Sequence, residues 1–411
     1  MRKWYDSAVL AIAAVKRDCS VAAVIAGLIA VTVSYAGPLL IVFQAAKAVQ
    51  LSDAQLSSWI WAISFGSGLT GLILSMRFRA PVIIAWSTPG AVLLVSGWAA
   101  YTFSDSIGAF VLSAVIITAL GFSGLFSGIM KRVPQSIIAA MLAGILLKFG
   151  VEVFVSLKQL PILASPMILS YLLAKRLYPR YAVAVTLFVG LIAAYNLHAL
   201  SFEHVSVGLV QPVFTLPTFS LEALLGLGIP LCIVTMVSQN ATGIGVLRVD
   251  GFNTPANPLI TATGIASLLT APFGSHGINL AAITAAICTG KEAHPDFDKR
   301  YIAGIVCGLF YMLVSIFGAT IVSVFSALPN ELVAVISGVA LFGSLSASLS
   351  AAMKDEQQRE SGLITFLVTI SGITLAGIGA PFWGLVAGII TDGILNGRIG
   401  GLLKRLVTVK P

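Results

Sequence analysis

Apolar runs, many of them about as long as a bilayer is thick, follow one another along almost the whole chain. A helix needs about 20 mostly apolar residues to cross the hydrocarbon core of a bilayer. We read fourteen such segments, roughly at 21–43, 56–75, 82–100, 107–129, 133–155, 161–177, 181–200, 221–240, 257–271, 274–290, 302–324, 331–350, 361–377 and 383–397. The sequence therefore predicts an all-α polytopic membrane protein, with residues 1–411 forming a single domain and no room for a separate soluble one.

The composition supports lipid as the solvent of this chain. Charged residues make up 10% of the sequence and hydrophobic residues 58%, whereas a typical soluble domain is about 25% charged. Such a chain cannot cover its surface with polar groups. The first run, 21–43, is also too long for the core of a cleaved signal peptide, so we expect it to remain as a span.

Basic residues alternate between the two ends of the predicted spans. With a cytoplasmic N-terminus, 21 of the 24 Lys and Arg residues fall on the cytoplasmic side, and the exceptions are Lys47, Lys148 and Lys158. Positive charge accumulates in cytoplasmic loops of membrane proteins. We therefore expect both termini in the cytoplasm and a multi-pass protein of the inner, cytoplasmic membrane.

Several other classes of protein find no support in the sequence. The net charge of +8 comes from short basic clusters between apolar runs, which does not produce the basic face of a nucleic-acid-binding protein. The four cysteines are scattered, and His294 lies in a charged loop without a second histidine nearby, so we expect no metal. No nucleophile elbow or phosphate-binding loop occurs, and we predict neither an enzyme nor a bound cofactor.

Two pairs of segments suggest an internal repeat. Pro134 and Pro329 open the fifth and twelfth spans and lie 195 residues apart, while Ser87 and Ser275 in spans three and ten lie 188 residues apart. Both offsets correspond to about seven spans. Because seven is odd, the second half should be inverted relative to the first, as in many transporters.

Spans three and ten are interrupted near their beginnings. We expect residues 86–88 to be extended, with Thr88 capping a half-helix whose first turn contains Pro89. Residues 275–277 should do the same in span ten, with its half-helix running through Asn279. Two half-helix N-termini would then meet near the bilayer midplane and attract an anion, typically a carboxylate.

The distribution of acidic residues points to the same kind of solute. No Asp or Glu occupies the middle of spans three, eight or ten, whereas a cation carrier would normally place a carboxylate there. The predicted substrate-binding residues are Trp86, Ser87, Thr88, Pro89, Gly90, Gln239, Asn240, Phe273, Ser275, His276, Gly277 and Asn279. For Gln239 and Asn240 the alternative is helix–helix hydrogen bonding, and for Trp86 and Phe273 it is packing in the core or against lipid.

His276 stands at the second break, whereas the other three histidines lie in or near loops. Histidine titrates near neutral pH. Protonated, it would add positive charge beside the helix N-termini and strengthen carboxylate binding, so we predict that His276 couples proton to substrate. The alternative is that it only hydrogen-bonds the substrate or caps the half-helix.

These residues form a recognisable set. The most specific stretches are 85–91 (AWSTPGA), 140–147 (AMLAGILL), 238–240 (SQN), 271–274 (APFG), 281–288 (AAITAAIC) and 292–296 (EAHPD). With them, the chain resembles the BenE-type benzoate/proton symporters along nearly its whole length. The resemblance implies the fourteen-span, seven-plus-seven fold that this family shares with nucleobase/proton symporters.

The resemblance also implies a division into subdomains and an activity. Residues 1–130 and 221–325 would form a mobile core, and residues 131–220 and 326–411 a gate. The expected activity is symport of benzoate, or a similar aromatic carboxylate, with a proton by alternating access. Nucleobase carriers of this fold have acidic residues where this chain has Asn240 and Ile278 or Asn279, so their coupling scheme does not transfer directly. Another small anion, a nucleobase-like solute, a channel, and a homodimer through the gate subdomain are left open.

Overall fold

The computed structural model describes residues 15–126, 134–200, 207–281, 283–291, 293–375 and 378–396, and it is mostly helical. The first half contains α1 (Val21–Ala36), α2 (Pro38–Ala48), α3 (Asp53–Phe78), β1 (Ile84–Trp86), α4 (Thr88–Gly97), α5 (Phe103–Ser123), α6 (Gln135–Gln159), α7 (Pro161–Leu177) and α8 (Ala182–Asn196). A continuous helical segment, α9, then joins Leu221–Ala223, Leu224–Gly228, Ile229–Val234, Thr235–Ala241 and Thr242–Val249. The remainder contains α10 (Ala256–Thr270), β2 (Ile278–Leu280), α11 (Ile283–Thr289), α12 (Tyr301–Ile316), α13 (Gly318–Ser326), α14 (Asn330–Met353), α15 (Arg359–Ile370), β3 (Thr374–Leu375), β4 (Ile378–Gly379) and α16 (Ala380–Leu395).

Each of the fourteen predicted apolar segments overlaps at least one of these helices. Within the described ranges, seven helical segments are long and apolar enough by themselves to cross a membrane: Val21–Ala48, Asp53–Phe78, Phe103–Ser123, Gln135–Gln159, Leu221–Arg248, Phe297–Ile316 and Asn330–Met353. The other predicted segments are shorter or interrupted helices. The basic residues Arg2, Lys3, Lys131, Arg132, Arg398, Lys404, Arg405 and Lys410 lie outside the described residues.

Polar residues just before the apolar runs set where several helices begin. Ser20 and Thr102 accept backbone N–H groups of the first turns of α1 and α5. Ser52 and Gln55 form a reciprocal capping box at the start of α3. These contacts satisfy N–H groups that the helix itself leaves without partners.

The long helices pack in pairs that are distant in sequence. The second predicted span, α3, lies along α12 of the eleventh, and the fourth, α5, lies along α10 of the ninth. The fifth span, α6, packs along α14 of the twelfth. Advancing every span by seven converts the first pair into the second and leaves the third pair unchanged.

A separate apolar cluster is formed mainly by α6, α7, α8 and α14. Its buried members include Val153, Met167, Tyr171, Leu332 and Ile336. The remaining long helices pack around two other clusters, which contain the aromatic side chains of α3, β1 and α5. We call the helices around these clusters two packing groups; they share α6, since Met141 and Leu146 belong to the cluster that also contains Trp86.

The two breaks are joined by a short antiparallel ladder. Ile84 pairs with Leu280, Ala85 with Asn279 and Trp86 with Ile278. The ladder is extended on one side by the Ser87 N–H, which donates to the Gly277 carbonyl at 3.1 Å. Backbone polar groups at membrane depth need partners inside the protein, and this pairing supplies them where both helices are interrupted.

A charged cluster ties together three helix ends at the α1 N-terminus. The Tyr301 hydroxyl donates to Asp18 at 2.9 Å, and Arg79 lies 3.8 Å from the same carboxylate. The pKa of the Asp18 carboxyl lies below its ordinary value, chiefly because Arg17 donates a hydrogen bond to it. These contacts connect the start of α1 with the end of α3 and the start of α12.

Candidate functional site

The first break differs from the prediction by one residue. Helix α4 begins at Thr88, and its cap is Ser87 rather than Thr88. Ser87 Oγ accepts the Gly90 N–H at 3.1 Å, which is the usual reach of a capping hydroxyl to the third helical residue. Pro89 has no N–H to donate, so the predicted carboxylate contact at Pro89 and Gly90 finds no free backbone donor there.

The second break departs further from the prediction. Asn279 lies in β2, and the helix begins only at Ile283, so the half-helix predicted to run through Asn279 is wrong in its start. The Ile278 N–H donates to Ser267 Oγ at 2.8 Å, and the Leu280 N–H donates to Asn240 Oδ1 at 3.0 Å. Partners from α9, α10 and β1 thus hold this stretch extended, although local sequence alone allows a helix.

His276 is fully buried between the two breaks, with 1% of its surface exposed. Its Nδ1 lies 3.0 Å from Trp59 Nε1, which can only donate, so Nδ1 is the acceptor. The proton is therefore on Nε2, which donates to the Ser87 carbonyl at 2.9 Å. In this conformation His276 is a neutral link between α3 and the first break.

Helix α9 widens into a π-helical turn over Thr235–Ala241, beside both breaks. Such turns often occur at functional sites. The Thr235 hydroxyl donates to Ser87 Oγ at 2.9 Å, and Asn240 is buried against β2. Gln239, in this turn, lines the cavity described in the next paragraph. The neighbouring Asn240 accepts the Leu280 N–H of β2.

A cavity of about 750 Å³ lies between the two packing groups; we call it the central cavity. Four of the predicted site residues line it, namely Trp86, Thr88, Pro89 and Gln239. The predicted residues Ser87, Gly90, Asn240, Ser275, His276, Gly277 and Asn279 lie behind this lining, and several of them hold its shape through the hydrogen bonds above. The structure thus separates the predicted set into a lining and a scaffold.

Phe273 is placed elsewhere. Its ring contacts Trp61 and Phe214 at centroid distances of 5.4 and 5.7 Å, and it does not line the central cavity. This position corresponds to the alternative of packing outside the site.

Ser275 Oγ and Asn279 Oδ1 are buried without a hydrogen-bond partner in the described part of the chain.

The electrostatics of the central cavity favour a negatively charged occupant. Among its described lining residues the one charged side chain is Lys175, and there is no Asp or Glu. Trp86 is 2% exposed, and its Nε1–H has no hydrogen-bond partner within the described residues. A buried donor without an acceptor costs free energy unless a ligand supplies one.

Sequence reasoning missed the other walls of the cavity. These are contributed by Ser34, Pro38, Ile138, Leu142, Leu341 and Ser344, among others. A break between α1 and α2 at Gly37 brings Ser34 and Pro38 to the cavity, and the Gly37-Pro38 pair was a visible signal within the first span. The residues of α6 and α14 carry no such signal, because apolar residues and single serines are ordinary on uninterrupted helices of this kind.

Comparison with known proteins decides the family. The family described as benzoate membrane transport protein, BenE, matches residues 17–394. The chain belongs to this family. The resemblance noted from the sequence motifs is thereby confirmed over most of the length of this BenE-family protein.

Named relatives agree with that assignment. A benzoate membrane transport protein of Acinetobacter baylyi is 42% identical over 380 residues, covering 92% of this chain and 96% of the relative. The inner membrane protein YdcO of Escherichia coli is 41% identical over 372 residues, covering 90% and 95%. The BenE-family protein is therefore a membrane transport protein, and the names of its relatives agree with the expectation that it is not an enzyme.

Solved structures share the fold at low sequence identity. The transmembrane domain of the cyanobacterial bicarbonate transporter BicA aligns with a TM-score of 0.55 at 14% identity, covering 85% of this chain and 97% of that one. The structure of SLC26A9 aligns with a TM-score of 0.53 at 15% identity, covering 87% of this chain and 64% of that one. The BenE-family protein thus has the fold of these transporters.

Proposed function

We propose that this protein carries benzoate, or a similar aromatic carboxylate, through the central cavity in symport with a proton. The observation that carries the proposal is the lining of this cavity: its described residues include one cation, Lys175, no acidic side chain, and Trp86, whose buried Nε1–H has no hydrogen-bond partner in the described part of the chain. A carboxylate would accept this hydrogen bond, and a bond between a neutral donor and a charged acceptor is stronger than a neutral one.

The rest of the lining suits an aromatic ring. Ile138, Leu142 and Leu341 offer aliphatic walls, and Trp86 is itself packed edge-on against Tyr35. Ligand sites are mostly apolar, with a few polar groups that fix orientation. The proposed pose places the carboxylate toward Trp86 and Thr88 and the ring toward α6 and α14.

The packing of the helices supports an alternating-access carrier built from two inverted seven-span repeats. The pairs α3–α12 and α5–α10 exchange when every span is advanced by seven, as such a repeat requires. We propose residues 1–130 and 221–325 as the core and residues 131–220 and 326–411 as the gate, with the central cavity between them. The name of the YdcO relative supports the inner membrane as location, and with both termini cytoplasmic the mouth beside Lys175 would face the cytoplasm.

Coupling to a proton is the second part of the proposal. His276 is the candidate proton carrier, and its hydrogen bonds limit when it can take up a proton. Nδ1 now accepts the Trp59 N–H, so a proton can be added there only after that bond opens. Proton uptake by His276 would therefore belong to a different conformation of the transport cycle.

The test is uptake of labelled benzoate into proteoliposomes with an imposed pH gradient, comparing the parent with Trp86→Phe. Phenylalanine keeps an aromatic ring but removes the N–H. A hydrogen bond to a charged group contributes about 1.5–3 kcal/mol, so KM should rise roughly 10-fold to 100-fold. Trp98→Phe is the matched control, because Trp98 is equally buried, also has an unpartnered Nε1–H, and does not line the central cavity.

Two results would overturn the proposal. Equal KM values for Trp86→Phe and Trp98→Phe would remove Trp86 from the substrate site. Parent protein that accumulates bicarbonate or a nucleobase but not benzoate would assign a different solute, and flow without accumulation against a gradient would indicate a channel.

A further inference from the structure

We propose a second anion site, distinct from the central cavity, in which Lys47 and Lys148 collect the carboxylate of the substrate before it enters the transport path. This inference rests on the proposed function. The site is a cavity of about 280 Å³, here called the outer cavity. Its lining is formed by Phe43, Gln44, Lys47, Val95, Lys148, Phe149, Glu152, Phe325, Asn330, Val333 and Ala334.

The two cavities lie end to end along the same helices. On α6 the central cavity reaches Leu146, and the outer cavity begins at Lys148 and Phe149. On α14, which packs along α6, the outer cavity uses Val333 and the central cavity starts at Val339. Since a helix rises about 1.5 Å per residue, the two linings are about 3 Å apart along α6 and about 7.5 Å apart along α14, where Ala334 is the last residue of the outer cavity.

The chemistry of the outer cavity matches an aromatic acid. Three phenylalanine rings from α2, α6 and α13 contribute to its wall, and Phe43 and Phe325 stack with centroids 5.0 Å apart. Two lysines and one glutamate give the lining a net positive charge. An apolar recess with a surplus cation is complementary to a ring that carries a carboxylate.

The lysines are not used for ion pairing within the described part of the chain. Lys47 Nζ donates to the neutral amide of Asn330 at 2.8 Å. Neither Lys47 nor Lys148 lies within ion-pair distance of a described carboxylate, and Glu152, one turn beyond Lys148, is not bonded to it. Their charges are therefore available to an incoming anion.

The place of Lys148 in its helix is hard to explain by structure alone. It is residue fourteen of the 25 in α6, a helix of membrane-spanning length and hydropathy. Charged side chains at such positions are costly and usually mark an ion or substrate path. Lys47 also sits in the last turn of α2, where a cation favours the helix dipole, but that reason does not apply to Lys148.

The experiment measures initial rates of benzoate uptake by intact cells that express the protein, at low and high ionic strength. The double variant Lys47→Gln, Lys148→Gln should raise KM about 10-fold at low ionic strength and flatten its salt dependence, because charged entrances raise local anion concentration by that order or more. Glu152→Gln should change KM in the opposite direction, lowering it about twofold to threefold. Maximal rates should stay within about twofold, since the central cavity is unaltered.

Lys158→Gln is the matched control, because Lys158 is an exposed lysine near the end of the same helix and does not line the outer cavity. The proposal is overturned if the double variant behaves like Lys158→Gln. It is also overturned if Glu152→Gln raises KM as the lysine variants do, which is the result expected from simple damage to the fold. A parent that takes up no benzoate refutes the proposed function and the outer site with it, whereas normal uptake without a lysine effect refutes the outer site alone.

Discussion

The break before α4 and the break before α11 contribute differently to the central cavity. At the first, Trp86, Thr88 and Pro89 all line the central cavity. At the second, Ser275, His276 and the residues up to Leu280 are buried behind it, with their backbone groups bound to neighbouring elements. The first break therefore forms the proposed substrate surface, and the second forms its support.

This difference follows from where the following helix begins. At the first break the strand passes into α4 after one residue, Ser87. At the second, β2 ends at Leu280 and α11 begins at Ile283. The same punctuation with glycine, serine and proline thus gives two backbone paths, and the partner hydrogen bonds decide between them.

A negative charge at the first break should have the largest effect. Ser87→Asp places a carboxylate at a fully buried position beside the proposed carboxylate site. Two like charges about 4 Å apart repel by about 4 kcal/mol at an effective dielectric constant near 20. Benzoate uptake should therefore fall at least about 100-fold.

Ser87→Asn is the control for this change, because asparagine caps helices as well as aspartate and has nearly the same shape. Its uptake should stay close to that of the parent, measured in the same proteoliposomes. Undiminished transport by Ser87→Asp would show that the substrate does not bind at this break and would remove the contrast between the two.

His276→Gln tests whether the second break, which supports the cavity lining, also carries the proton. Glutamine can accept from Trp59 and donate to the Ser87 carbonyl, as the neutral histidine does, but it cannot titrate. We expect benzoate exchange to remain within about twofold of the parent, while accumulation driven by a pH gradient is lost. Measuring exchange and accumulation on the same vesicles separates the two effects.

Accumulation equal to that of the parent would assign His276 to the scaffold alone. Trp59→Phe is the companion variant, because it removes the N–H that occupies Nδ1. If His276 carries the proton, this variant should shift the pH dependence of uptake toward higher pH, since the charged form no longer has to displace a donor. An unchanged pH profile in both variants would place the proton elsewhere.

Gly277→Ala should have the smallest effect, on stability rather than on substrate affinity. Gly277 has a φ of 147°, a backbone conformation that residues other than glycine rarely adopt. There is nevertheless space for a side chain, because an added Cβ would lie 3.8 Å from its nearest neighbour. The cost should be about 1–3 kcal/mol of strain, read as a lower melting temperature with KM unchanged. Gly245→Ala is the control, since that helical glycine has open space around it and an ordinary φ.

A rise in KM for Gly277→Ala without loss of stability would contradict the scaffold role of the second break. The corresponding change at the first break, Gly90→Ala, is limited by space instead. There a Cβ would lie 2.6 Å from Leu231 Cδ1 and 2.8 Å from Ser87 Oγ. The two glycines are thus required for different physical reasons.

The positions of the apolar segments, the interruptions of spans three and ten, and the polar residues at those interruptions could all be predicted from the amino-acid sequence. The length and hydropathy of each segment, and the positions of Ser87, Pro89 and Gly277, are properties of the local sequence. They restrict the backbone conformation whatever the segment packs against. The family resemblance followed from the same stretches. Four of the site residues predicted from the sequence line the central cavity.

Which face of each break meets the cavity depends on long-range packing and could not be predicted from local sequence. The extended path of residues 278–280 depends on Ser267, Asn240 and β1, which come from distant parts of the chain. Much of the opposite wall consists of apolar side chains of α6 and α14, such as Ile138, Leu142 and Leu341, which in sequence are indistinguishable from positions packed against lipid or in a core. Their role comes from the docking of two helix groups, because a cavity is a property of the space between elements and not of any one of them.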